Sequence, residues 1–106
     1  MTTVSYDREH FEMTVSGHSG FAPAGQDIVC AGVSTLAQTL VWHAQDRSEF
    51  NAEIYLDMKT PELKISCTPR VEHVDKCRDM YDVIYSGFEM MASAYPDYLR
   101  IGGSDG

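Results

Sequence analysis

Apolar and polar residues alternate in two short runs near the N-terminus, Val4/Tyr6 and Phe11/Met13/Val15, separated by Asp7-Arg8-Glu9. Period two with a polar break predicts a β-hairpin covered on one face, and Gly17 ends its second strand. Residues 19–26, Ser-Gly-Phe-Ala-Pro-Ala-Gly-Gln, sustain neither a strand nor a helix period and read as a loop. Asp27 is a candidate N-cap for a helix running through Val33, Leu36, Ala37, Leu40 and Val41 towards Asp46. Alternation returns from Ala52 to Met58 and again at Leu63, Ile65 and Cys67, giving a second hairpin around Thr60-Pro61. Val74, Cys77, Tyr81, Ile84, Phe88, Met91 and Tyr95 then recur at steps of three and four, the stripe of a long helix that Pro96 closes. Tyr98 to Ile101 reads as one short edge strand, and 101–106 as the start and length of a frayed tail. The order is ββαββα(β), an α/β chain of the α+β type. A mainly antiparallel sheet with both helices packed on one face is expected, as a single domain over 1–106.

Charge narrows the partners. Eight Lys+Arg against sixteen Asp+Glu give a net charge of −8 over 106 residues. Each half of the chain carries −4, and no basic patch suggests a nucleic-acid binder. No stretch approaches the roughly 20 apolar residues of a membrane helix, so neither nucleic acid nor membrane is expected as a partner. The start lacks a leader pattern and the three cysteines show no framework spacing, so a cytoplasmic protein with reduced thiols is expected.

The candidate chemistry lies between a strand end that offers His18 and a helix start that offers Cys30. A cysteine is a nucleophile only as its thiolate, and a helix N-terminus alone moves a thiol pKa by less than about one unit. Asp27 and the acidic balance oppose ionisation, so a proton-accepting partner is needed, and His18 is the nearest in sequence. On pattern alone Cys30 also fits a buried structural role, because it shares a helical face with Val33, Ala37 and Val41. Cys67 and Cys77 read as core, and His10, His43 and His73 as surface or boundary residues. Gly20 to Gly25 imitates half of a phosphate loop but lacks its lysine. No metal-ligand spacing occurs, and no cofactor is expected.

Gly17-His18, a glycine-containing loop, and Gly25-Gln26-Asp27-Ile28-Val29-Cys30-Ala31-Gly32-Val33-Ser34 together resemble the signature of the ribosomal-processing cysteine protease family, Prp. Ser19 stands where that pattern usually has Ala, the loop carries an unusual Phe-Ala-Pro, and little identity extends beyond residue 50. The resemblance implies a homodimeric thiol protease that removes a short N-terminal extension from large-subunit ribosomal protein twenty-seven. Cys30 would be its nucleophile and His18 its general base. Asp27 would cap the helix or orient the site, and backbone N–H groups of Cys30 and Ala31 would receive the oxyanion. Ser19, Gly20, Phe21, Ala22, Pro23, Ala24, Gly25 and Gln26 would form a mobile lid over the peptide, since no periodic contact anchors them. A non-catalytic, ribosome-associated or regulatory dimer of the same fold is the alternative, and apolar surface on the second helix (Val83, Tyr85, Met90) the expected site of self-association.

Overall fold

The computed structural model describes residues 1–23 and 25–102. Ala24 and 103–106 lie outside the described residues, and with them most of the expected tail. Strands β1 (Thr2–Asp7) and β2 (Glu12–Ser16) form the first hairpin, β3 (Ala52–Asp57) and β4 (Glu62–Cys67) the second. The helices are α1 (Ile28–Gln45) and α2 (Val74–Ala94), and β5 (Leu99–Ile101) closes the order. The five strands lie side by side as β3-β4-β2-β1-β5. All pairings are antiparallel except that of β5 with β1, in which Val4 faces Ile101. Ile101 therefore belongs to a strand, and the expected tail does not begin there. Phe11 lies in the turn at φ 55° instead of continuing β2, and its ring receives the Arg78 guanidinium at 4.7 Å.

The alternation decides which sheet face is covered. Val4, Tyr6, Met13, Ile65 and Cys67 are buried under the helices, while Arg100, Lys64 and Glu53 are exposed. Both helices pack on that one face, contributing Val29, Val33, Ala37, Leu40 and Ala44 from α1 and Cys77, Tyr81, Ile84 and Phe88 from α2. Glycines set how closely the helices approach. A Cβ on Gly32 would stand 2.7 Å from Cε of Met91, and one on Gly87 would stand 2.8 Å from a methyl of Leu36. Each helix thus receives a large side chain of the other where it has none itself. Cys67 and Cys77 are buried, as their positions in the pattern predict. The Cys67 thiol is pulled down to about 7 by hydrogen bonds from Cys77 and Tyr81, against the effect of burial. The Cys77 thiol is pushed up as the donor of that contact and by burial. Phe50 is fully buried in a short 3-10 turn, Ser48–Phe50, that the periodicity does not announce.

One glycine delivers the chain to its functional segment. Gly17 ends β2 at φ +90°, and a Cβ there would collide with the carbonyl oxygen of Met1. Its N–H donates to the carbonyl of Pro61 at 2.9 Å, so the position is fixed from both sides. Gly20, at φ +73°, has open space around it. Gly17→Ala is therefore expected to lower the unfolding free energy by about 2–4 kcal/mol, backbone strain plus collision, and Gly20→Ala by about 1 kcal/mol, strain alone. Urea unfolding of both variants checks the order.

Candidate active site

His18 follows Gly17 out of β2, and Cys30 occupies the first turn of α1. Both are exposed, which removes the reading of Cys30 as a core cysteine. They line a common groove of about 610 Å³. Its one wall is the face of α1 carrying Cys30, Ser34, Ala37, Val41 and Trp42, and its other is β3, with Ile54 and Leu56, and Met58 in the turn just beyond it. No hydrogen bond joins His18 to Cys30 among the described residues.

The loop between the two is organised by a single carboxylate. Asp27 is the N-cap of α1: its Oδ1 accepts the Cys30 N–H at 2.8 Å. Its Oδ2 accepts the Ser19 hydroxyl at 2.5 Å, the Phe21 N–H at 3.1 Å and the Ala22 N–H at 3.4 Å. One side chain thus ties the residue next to His18 to the residue that carries the thiol. Desolvation works to raise the Asp27 pKa, but the donors Ser19, Cys30, Ala22 and Phe21 together outweigh it and hold the carboxyl below its ordinary value. The negative charge that opposes a thiolate in the sequence is here directed at four donors.

Two expectations change. The first half of the 19–26 segment is anchored: Ser19 is 2% exposed, and Phe21 meets Tyr95 and Tyr98 edge-on with ring centroids 5.8 and 5.2 Å away. The premise of a lid without contacts therefore fails for these residues, because a carboxylate and an aromatic pair from distant sequence supply them. The N–H groups of Cys30 and Ala31, expected as oxyanion donors, are both engaged, by Oδ1 and by the carbonyl of Asp27 at 3.0 Å. Capping the helix start uses the same groups that an oxyanion would need.

The apolar groove wall is the part that sequence reasoning missed. Ile54, Leu56 and Met58 alternate like core residues, yet they are 40%, 60% and 80% exposed. A signal was present in the arithmetic of layers: two helices cannot cover five strands.

Because the Asp27 carboxyl is held low by its donors, its contribution to stability is present above the ordinary carboxyl value of 3.8 and lost as the pH falls through its lower folded value. Asp27→Asn is expected to be less stable than the wild type at neutral pH, with the gap narrowing at pH values below that range. Unfolding midpoints of the pair, measured against pH, test this.

The sequence model of the family described as cysteine protease Prp matches residues 1–100. The ribosomal processing cysteine protease Prp of Mycoplasma pneumoniae is 31% identical over 91 residues, 85% of this chain and 84% of that protein. Among solved structures, the ribosomal processing protease Prp of S. aureus with a covalently linked product peptide superposes with a TM-score of 0.82. The identity is 20%, over 96% of this chain and 98% of that one. A second structure of the S. aureus protease, with a substrate peptide, gives 0.73 at 16% identity over 95% of each chain. SMU.848 from Streptococcus mutans gives 0.71 at 20% identity, over 94% and 89% of the chains. At these identities the structural likenesses show a shared fold, and the family match and the 31% relative carry the assignment: the chain belongs to the cysteine protease Prp family.

Proposed function

We propose that this cysteine protease cuts peptides with Cys30 as nucleophile and His18 as general base. The observation that carries the reading is that an exposed thiol at a helix start and an exposed imidazole line one apolar groove. The Cys30 sulfur attacks the peptide carbonyl, His18 takes the thiol proton and returns it to the leaving amine, and water releases the acyl group. Stabilising the oxyanion with the Cys30 N–H then requires Asp27 Oδ1 to yield that contact, a rearrangement that bound peptide would drive. For segment 19–26 to act as a lid, Phe21 must leave Tyr95 and Tyr98.

The groove suggests the substrate's shape. From Cys30 to Trp42 the helix rises about 18 Å at about 1.5 Å per residue, the span of about five residues of extended chain. An extended peptide rich in apolar side chains fits walls made by Val41, Trp42, Ile54, Leu56 and Leu63. The family and the names of its relatives support a ribosomal protein as the source. We take the N-terminal extension of large-subunit protein twenty-seven as the target, cut by a homodimer in the cytoplasm. No specific observation favours the non-catalytic alternative.

Native-state alkylation by iodoacetamide is expected to modify Cys30 and to spare Cys67 and Cys77, both buried. Cys30→Ser and His18→Ala should keep the fold and lose turnover by at least about a hundredfold. Cys67→Ala and Cys77→Ala should still cleave, at a cost of roughly 1–3 kcal/mol in stability. Mass spectrometry of an extended ribosomal substrate incubated with each variant reads the outcome. Full cleavage by Cys30→Ser would remove the mechanism.

A further inference from the structure

Two cysteines take no part in the groove, and the fold brings them together. Cys67 ends β4 and lies on the side of the sheet that the helices cover, while Cys77 occupies the first turn of α2. Both are buried, at 3% and 0% exposure. The Cys77 thiol donates to the Cys67 sulfur. The Tyr81 hydroxyl, one helical turn further along α2, stands 3.3 Å from the same sulfur. The contact closes the connection between β4 and α2, residues 68–76, at its two ends.

A buried cysteine is ordinarily an inert packing residue, and three features set this pair apart. The pair is asymmetric: both polar neighbours donate to Cys67, which favours negative charge on its sulfur, while Cys77 holds the proton. Its cover is weak as well. The start of α2 follows a 3-10 turn, Val71–His73, and its N-cap residue His73 supplies no side-chain acceptor. A helix end without a side-chain cap opens at low cost, and Cys77 is carried on it. Finally, among the described residues no third Cys, His, Asp or Glu joins the two sulfurs in a cluster that could hold a metal ion. Two adjacent thiols without a third ligand are suited to oxidation by two electrons.

We propose that Cys67 and Cys77 are an oxidation site for hydroperoxides, closing to a disulfide that a dithiol reductant reopens. The Cys67 thiolate attacks one oxygen of hydrogen peroxide: an S–O bond forms, the O–O bond breaks, and hydroxide leaves and is protonated by water. Cys67 is then a sulfenic acid. The Cys77 sulfur attacks it, the S–S bond forms as the S–O bond breaks, and the hydroxyl leaves with the Cys77 proton as water. Two thiols and one peroxide thus give one disulfide and two waters, with two electrons passing from sulfur to oxygen. Hydrogen peroxide is little larger than water and reaches the pair through small openings of the helix start that exclude iodoacetamide. The finished bond fastens that helix start to β4, the neighbour of β2 and β3 in the sheet. None of this depends on the protease reading.

The test uses the wild type and Cys30→Ser, which keeps only the two core thiols. Millimolar hydrogen peroxide should take native Cys30→Ser from two free thiols to none. Unreduced peptide maps of both proteins should show the Cys67 and Cys77 peptides joined within one chain, and dithiothreitol should restore both thiols. Oxidised Cys30→Ser should keep its helical circular dichroism and melt higher by about 4 °C or more. In Cys77→Ala the sulfenic acid has no thiol to meet, so dimedone labelling of Cys67 should rise at least about tenfold over the wild type. Should that variant fail to fold, the peptide maps of the other two proteins decide. Thiols that survive peroxide in the native chain and vanish only after unfolding, a disulfide formed only between chains, or separate acids on the two sulfurs would overturn the proposal. So would an oxidised chain that loses its helical signal or melts lower.

Discussion

The carboxylate of Asp27 sets the geometry on which the site depends. Its two oxygens face opposite ways along the chain, one to the Cys30 N–H and the other to Ser19, Phe21 and Ala22. A helix start has N–H groups without intrahelical partners, and a loop of irregular composition has backbone donors to satisfy. Here one acceptor answers both needs. The spacing of His18 and Cys30 in space is therefore governed by a side chain that ties the neighbour of one to the backbone of the other. Gly20 and Gly25, both at positive φ, give the loop's backbone its freedom to turn.

A second constraint is the mismatch between layers. Two helices on one face cover the five-stranded sheet as far as its β5 edge, where Leu99 is buried, and leave β3, at the opposite edge, overhanging. The uncovered helix-facing side of β3 becomes the far wall of the groove, so the same apolar alternation that folds β1 and β2 serves a ligand at β3. The site thus lies where the core runs out, beside the N-terminus of α1, and its depth comes from the fold rather than from any insertion.

Much of this could be read from residue order. Both hairpins, both helices, their common face and the mainly antiparallel pairing follow from periods of two and 3.6, and Asp27 marks the start of α1 where the structure has it. What could not be read depends on contacts between distant residues. Ser19 is polar and sits in a loop, yet a carboxylate eight positions later buries it. Phe21 looked free because Tyr95 and Tyr98 come from the other end of the chain. Phe50 has polar neighbours and is buried by tertiary packing alone. The Cys30 and Ala31 N–H groups were legible as helix-start donors, but their use by the cap follows only from the geometry. Ile54, Leu56 and Met58 have the alternation of core residues, and only the sheet order shows that no helix remains to cover them.

The claim that one carboxylate holds the loop and the helix start together is tested most directly by residue-resolved amide hydrogen exchange on the wild-type chain and on Ser19→Ala. The account predicts that the Phe21, Ala22 and Cys30 amides are protected in the wild type and lose protection together when the Ser19 hydroxyl is removed, because all three donate to the same side chain. Faster exchange at Phe21 and Ala22 with Cys30 unchanged would mean that the loop and the helix cap are independent, and would contradict it.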